Sequence, residues 1–173
     1  MNKRTQVILL GGLYSGMIGY ATVVVIIAAF NILAGRSPFY TAALFGSELF
    51  YGGGDPATLV ISAGPVLAYN MAHVLAFLFF GTLASWLVVT GERNPIVQYL
   101  LFAVLVLVGF HAFAALLVFA LPLMGNSAWI QIGLASVVAA GMMGWYLLRA
   151  HPVLRGELKD IPWGSVPPAP ANR

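Results

Sequence analysis

The chain contains no cysteine. This absence excludes disulfides, thiolate nucleophiles, iron–sulfur ligation and cysteine-based zinc sites together. Charge is also scarce, because only 8% of the residues are Asp, Glu, Lys or Arg, against about a quarter in soluble domains. An ordinary soluble domain is therefore excluded. The net charge of +3 is carried by residues that flank apolar runs, so it does not indicate nucleic-acid binding.

Acidic residues are missing from every long apolar run. The chain has five carboxylates, all in predicted loops or in the C-terminal tail: Glu48, Asp55, Glu92, Glu157 and Asp160. A proton or cation relay needs Asp or Glu inside the spans, so a coupled transporter is disfavoured. No Ser has both a His and a carboxylate at its own depth, and we therefore expect the protein not to be an enzyme.

What the chain has in abundance is apolar sequence, with 61% hydrophobic residues and a mean hydropathy of +0.93. This composition predicts an all-α integral membrane protein. Runs of span length predict a four-transmembrane-helix bundle within residues 1–150, followed by an extended cytoplasmic tail over 151–173. The four predicted spans are about 7–33, 65–89, 96–121 and 128–148.

A short aromatic segment precedes the second span. Ser37 and Pro38 provide an N-cap and a first-turn proline, and residues 38–51 are too short to cross a bilayer. We expect an interfacial helix here, in the first outer loop, whose rings suit the headgroup boundary or the surface of a larger protein. The glycine run at 52–54 ends it and lacks the Lys and Ser/Thr of a phosphate loop.

Basic residues predict the orientation. With both termini in the cytoplasm of a bacterium, Arg36 is the only basic residue on the outer side of the inner membrane. The basic residues then on the inner side are Lys3, Arg4, Arg93, Arg149, Arg155, Lys159 and Arg173. His151 follows Arg149 at the end of the last span, where we expect a solvated interfacial side chain.

Two histidines lie inside the spans. His73 and His111 flank the predicted loop at 90–95 by nearly equal numbers of residues, so in a helical hairpin both lie roughly 23 Å from that loop. Asn70 is one helical turn from His73 and is placed to orient its ring. Further polar residues at similar depth are Asn31, Tyr69 and Gln131.

Three arrangements account for this pair. The histidines can bridge helices by hydrogen bonds, they can serve as the axial iron ligands of a haem b, or they can line a polar pocket for a quinone or lipid. A bound chlorophyll or bacteriochlorophyll needs only one histidine for its magnesium, so the equal depth of two histidines does not favour a pigment. In topology and histidine placement the chain resembles the four-helix cytochrome b architecture. The second and third spans carry one histidine each and no span carries two, so that resemblance implies at most one haem.

Small residues recur at close-packing spacing on two spans. Gly11, Ser15 and Gly19 share one face of the first span, with Gly12 and Gly16 beside them. The comparable strip on the last span consists of Gly133, Ser136, Ala140 and Gly144. Such strips let helix backbones approach closely, either within the bundle or against a planar cofactor or a helix of a neighbouring subunit.

These features favour a small accessory or structural subunit of a larger membrane assembly, respiratory or photosynthetic. Its expected partners are the lipid bilayer and other integral membrane subunits, and not nucleic acid. A monohaem b-type electron carrier using His73 and His111 is the alternative. A small-solute or lipid transporter is the third hypothesis, and the missing membrane carboxylates and internal repeats disfavour it.

Overall fold

The computed structural model describes residues 2–53, 56–92, 106, 107, 109, 113, 114 and 116–152. Its regular elements over these ranges are all helical: α1 (Lys3–Leu33), α2 (Tyr40–Phe50), α3 (Ala63–Gly91), the described helical residues 116–124, which we call α4, and α5 (Ala128–Ala150), with 3-10 turns at Pro56–Thr58 and Gly125–Ser127. The predicted helical class is therefore confirmed for this part of the chain.

Within the described ranges, three helices are long and apolar enough to cross a membrane, namely α1, α3 and α5. They coincide with the predicted spans 7–33, 65–89 and 128–148, and each extends those ranges by a few residues. The predicted third span, 96–121, lies largely outside the described residues, as do His111 and residues 153–173 of the predicted tail.

Helix α1 packs against α3 along most of its length. Arg4 Nη2 donates to Thr90 Oγ1 at 3.3 Å near the start of α1, and Tyr20 OH donates to Asn70 Oδ1 at 2.8 Å nearer its end. Residue numbers rise on one helix as they fall on the other, so the two helices are antiparallel.

Helix α1 is also antiparallel to α5. The rings of Tyr14 and Tyr146 lie 6.2 Å apart, and Gly19, further along α1, faces Met143, earlier on α5. The described parts of α3 and α5 make few contacts with each other. Helix α1 is therefore the central element among the described helices, and α3 and α5 run in the same direction on adjacent faces of it.

Glycine allows the close approach between α1 and α3. A Cβ built on Gly12 would lie 2.5 Å from Thr82 Cα, and one on Gly16 would lie 2.6 Å from the carbonyl oxygen of Phe77. Gly81 faces both glycines from α3 and is buried between them. The predicted small-residue strip on α1 is thus filled by helices of the same chain.

Helix α2 begins at Tyr40, two residues after its predicted start, and is held by the end of α1. Thr41 Oγ1 donates to Asn31 Oδ1 at 3.0 Å, and Asn31 Nδ2 donates to the Pro38 carbonyl at 3.2 Å. Asn31 is only 3% exposed, so these bonds lie in a dry environment where an unpaired amide is costly. One side chain therefore fixes the angle between the two helices.

The middle of α2 is buried in protein, whereas the sequence indicated a helix lying at the headgroup boundary or on another protein. Gly46 meets the backbone of Pro65 at the start of α3, and the Phe45 ring lies between those of Tyr69 and Phe119, at 5.6 and 5.4 Å. The buried apolar residues of this cluster are Leu44, Phe45, Ala120, Ala128 and Ile132. Helix α2 closes this end of the molecule, which we call the α2 end.

The opposite end, where α1 begins and α3 and α5 finish, we call the basic end. His151 Nδ1 lies 3.1 Å from Glu92 Oε1, and the histidine residue is only 7% exposed. The expectation of a solvated His151 is therefore wrong. The ends of α3 and α5 meet here, and the pair links two helices that otherwise touch little.

Replacing Gly81 by alanine should destabilise the protein. The new Cβ would lie 2.5 Å from the Gly12 carbonyl oxygen and 2.6 Å from the Gly16 amide nitrogen, both backbone atoms that cannot rotate away. We expect a loss of about 1–3 kcal/mol in unfolding free energy, measured by denaturant titration in detergent micelles. Gly141→Ala is the matched control, because no described atom lies within 4 Å of its Cβ. Equal stabilities for the two variants would contradict the close approach.

Candidate functional site

The strongest candidate site surrounds His73 on α3, ten residues after the helix begins. The His73 ring centroid lies 5.1 Å from those of Tyr69 and Phe77, one turn away on either side, and 6.0 Å from that of Tyr20 on α1. We call these three aromatic residues, together with Asn70 and His73, the His73 cluster. It lies at the α1–α3 contact, nearer the α2 end than the basic end.

His73 Nε2 is buried and has no hydrogen-bond partner among the residues that the structure describes. A buried imidazole nitrogen is a strong donor or acceptor, and leaving it unpaired costs free energy of about 1–3 kcal/mol. Such atoms in a native protein usually have a reason, which can be a ligand. This atom is the main chemical feature of the cluster.

Asn70 directs its side chain to α1 and to its own helix. Its Oδ1 accepts from Tyr20 OH at 2.8 Å, and its Nδ2 donates to the Val66 carbonyl at 2.7 Å. The hydrogen bonds described for Asn70 thus differ from the predicted bond to the His73 ring. Its role beside a cofactor stays a prediction, and in this structure it joins α3 to α1.

The other polar residues predicted at this depth do not form one group. Asn31 belongs to the junction of α1 and α2, and Tyr69 contacts both Phe45 of α2 and His73. Gln131 lies on α5, where its Oε1 is buried without a partner in the described ranges. His111, the predicted opposite of His73, lies outside the described residues, so the pair stays a prediction.

Tyr20 is the member of the cluster that sequence reasoning missed. It is a hydroxyl-bearing residue in the middle of an apolar span, and such a group needs a partner in the membrane. That need was a usable signal. The sequence did not identify the partner, because several polar residues on other spans lie within reach of the same depth.

The cluster can act chemically through one imidazole and two phenols. The buried Nε2 can coordinate a metal in a macrocycle or hydrogen-bond a carbonyl, and the flanking rings offer flat apolar surfaces. Within the described part of the chain, no three His, Asp or Glu residues gather as ligands for a bare metal ion. The His73 cluster therefore suits a ligand that binds a single imidazole on α3.

In comparisons with known proteins, the chain matches no protein-family model, no curated protein and no solved structure.

Proposed function

We propose that the protein is a small polytopic accessory subunit of a larger membrane complex. The observation that carries this proposal is the contrast between its two small-residue strips. The strip on α1 is filled by α3 and α5, whereas no described helix covers most of the strip on α5: Ser136 and Ala140 are exposed, and no described atom lies within 4 Å of a Cβ built on Gly144.

An open strip of small residues favours a helix as its neighbour. Helix association in lipid depends on close van der Waals packing and on hydrogen bonds between helices, because lipid tails are as apolar as leucine. The strip allows a close backbone approach, and the Ser136 hydroxyl offers a hydrogen bond to a partner. At its other end, a Cβ built on Gly133 would lie 3.9 Å from the Phe113 ring, so this end of the strip already faces a side chain of the same protein.

A fourth span is part of this proposal. Glu92, at the end of α3, lies at the basic end beside His151, whereas Ala120 of α4 packs against Leu44 and Phe45 at the α2 end. These ends are separated by the length of α3, about 43 Å for 29 residues. We propose that the connecting segment crosses the bilayer as the predicted span 96–121, which completes a four-helix bundle.

The proposed location is the bacterial inner membrane with the basic end in the cytoplasm. Lys3, Arg4 and Arg149 lie at that end, and Arg36 lies at the α2 end, where its guanidinium stacks on the Tyr40 ring at 4.6 Å. This asymmetry among the described basic residues supports the orientation. A respiratory or photosynthetic complex is the proposed assembly, since intramembrane histidine and aromatic surfaces suit cofactor-rich neighbours.

A larger side chain in the α5 strip should release the protein from its complex. Leucine at Ala140 fills the groove, and overpacking at a helix contact costs about 1–3 kcal/mol, which lowers the association constant about fivefold to a hundredfold. After gentle detergent extraction from the native membrane, we expect the unaltered chain to elute with partners in fixed stoichiometry. Ala140→Leu should elute mainly free, as measured by size-exclusion chromatography and mass spectrometry.

The matched control is Ala76→Leu, which adds the same volume at an exposed position of α3. It should leave the complex intact. Elution of the unaltered chain as a free monomer, under conditions that preserve other membrane complexes, would contradict the proposal.

A monohaem b-type electron carrier is the second candidate, because His73 Nε2 is buried without a described partner. In a haem protein this nitrogen would be an iron ligand, and the rings of Tyr69 and Phe77 flank the imidazole at 5.1 Å. A haem bound there would supply one-electron redox chemistry. His73 would hold and orient the iron, the aromatic rings would exclude water, and His111 is the second ligand that the sequence predicts.

The optical spectrum of the purified protein tests the haem hypothesis. A bound haem b gives a Soret band and an α band that sharpens on reduction, and His73→Ala should lose both bands. Tyr69→Phe, which keeps the flanking ring, should retain them. A well-folded but colourless protein would contradict this candidate and leave the accessory role untouched.

A further inference from the structure

The basic end contains an open cleft between the start of α1 and the finishing ends of α3 and α5. Its volume is about 460 Å³, within the range of about 300–1,000 Å³ typical of small-molecule sites. We call it the basic cleft. Its described lining residues are Asn2, Lys3, Arg4, Val7, Val89, Glu92 and His151.

The charges that line the basic cleft do not balance. Glu92 is engaged by His151 at 3.1 Å, and among the described contacts it has no bond to Lys3 or Arg4. The Arg4 guanidinium donates one described hydrogen bond, to Thr90 Oγ1 at 3.3 Å, and a guanidinium has five donors. The Lys3 ammonium has no acidic partner in the described part of the chain. Within the described ranges, two cations therefore face the cleft against one carboxylate, which is in contact with His151.

The walls of the cleft are polar at the rim and apolar toward the bundle. Lys3 and Arg4 belong to the first turn of α1, whereas Val7 lies one turn deeper and Val89 lies opposite on α3. Helix α1 is about 46 Å long for its 31 residues, which exceeds a hydrocarbon core of about 30 Å. With Lys3 and Arg4 in its first turn, α1 is long enough to place that turn at the depth of the lipid headgroups, with apolar side chains leading toward the acyl region.

We propose that the basic cleft binds a phosphate group, carried by an anionic phospholipid headgroup or by free phosphate. The Arg4 fork and the Lys3 point charge match phosphate oxygens, and basic pockets between membrane helices are a recurrent place for anionic headgroups. A phosphatidylcholine headgroup carries its own cation beside the phosphate, which the same two side chains repel. The cleft thus selects headgroups with net negative charge.

Thermal unfolding of the full chain in an uncharged detergent tests this site. The protein is titrated with short-chain phosphatidylglycerol, with short-chain phosphatidylcholine and with inorganic phosphate, and the shift in unfolding temperature gives an apparent affinity. We expect stabilisation by phosphatidylglycerol and none by phosphatidylcholine. Stabilisation by inorganic phosphate at similar concentration assigns the site to free phosphate, and stabilisation by phosphatidylglycerol alone assigns it to a lipid.

Two single-charge variants separate the cleft from general surface attraction. Lys3→Gln and Arg4→Gln alter exposed side chains, so both should fold, and each should weaken binding about fivefold. Arg149→Gln removes one charge at the same end, but Arg149 stacks on Trp145 at 4.2 Å and does not line the cleft, so binding should hardly change. An equal loss for all three variants, or no anion-dependent stabilisation of the unaltered protein, would overturn the proposal.

Discussion

The backbones of α1 and α3 approach so closely that no side chain fits between them at Gly12, Gly16 and Gly81. In lipid there is no hydrophobic force that draws one apolar helix to another, so close packing has to supply the attraction. Ser15 adds to it, because its buried Oγ lies 3.4 Å from the Gly81 carbonyl oxygen on the other helix. The rest of the described molecule is arranged around this contact.

Three features follow from the position that the glycines impose on α1. At one end, Asn31 emerges where it can hold Thr41 of α2, and α2 then closes the α2 end over the start of α3. In between, Tyr20 reaches Asn70, which places the His73 ring against α1. At the basic end, the first turn of α1 lies beside Glu92 and His151 and forms one wall of the cleft. Both candidate ligand sites thus lie along the same helix.

Length and composition predicted α1, α3 and α5 closely, because about 20 apolar residues are needed to cross a bilayer wherever they occur. Helix α2 was predicted from the Ser37–Pro38 start and the glycines after Tyr51, yet its burial was not. The sequence cannot distinguish a ring that faces lipid from one that faces protein, since both environments favour the same side chain. Phe45 and Phe50 look alike in the sequence, but Phe45 is 2% exposed and Phe50 is 51% exposed.

For the same reason, the sequence identified His73 and not its surroundings. Depth counting places a residue along the membrane normal, but it does not say which way the side chain points. Tyr20 and Asn70 meet because α1 turns the tyrosine toward α3, and His151 is buried because α3 ends beside it at Glu92. These contacts join residues that are far apart in the sequence, so local sequence patterns do not predict them.

The antiparallel contact between α1 and α3 can be tested by disulfide formation. A Cβ on Gly11 would lie 3.4 Å from Ser85 Cβ, close to the range of about 3.5–4.5 Å in disulfides, and the chain has no cysteine of its own. In membranes, Gly11→Cys with Ser85→Cys should form an intramolecular disulfide on mild oxidation, seen as a mass loss of two hydrogens. Gly11→Cys with Ala72→Cys, toward the other end of α3, should not. Crosslinking of the Ala72 pair in place of the Ser85 pair would contradict the account.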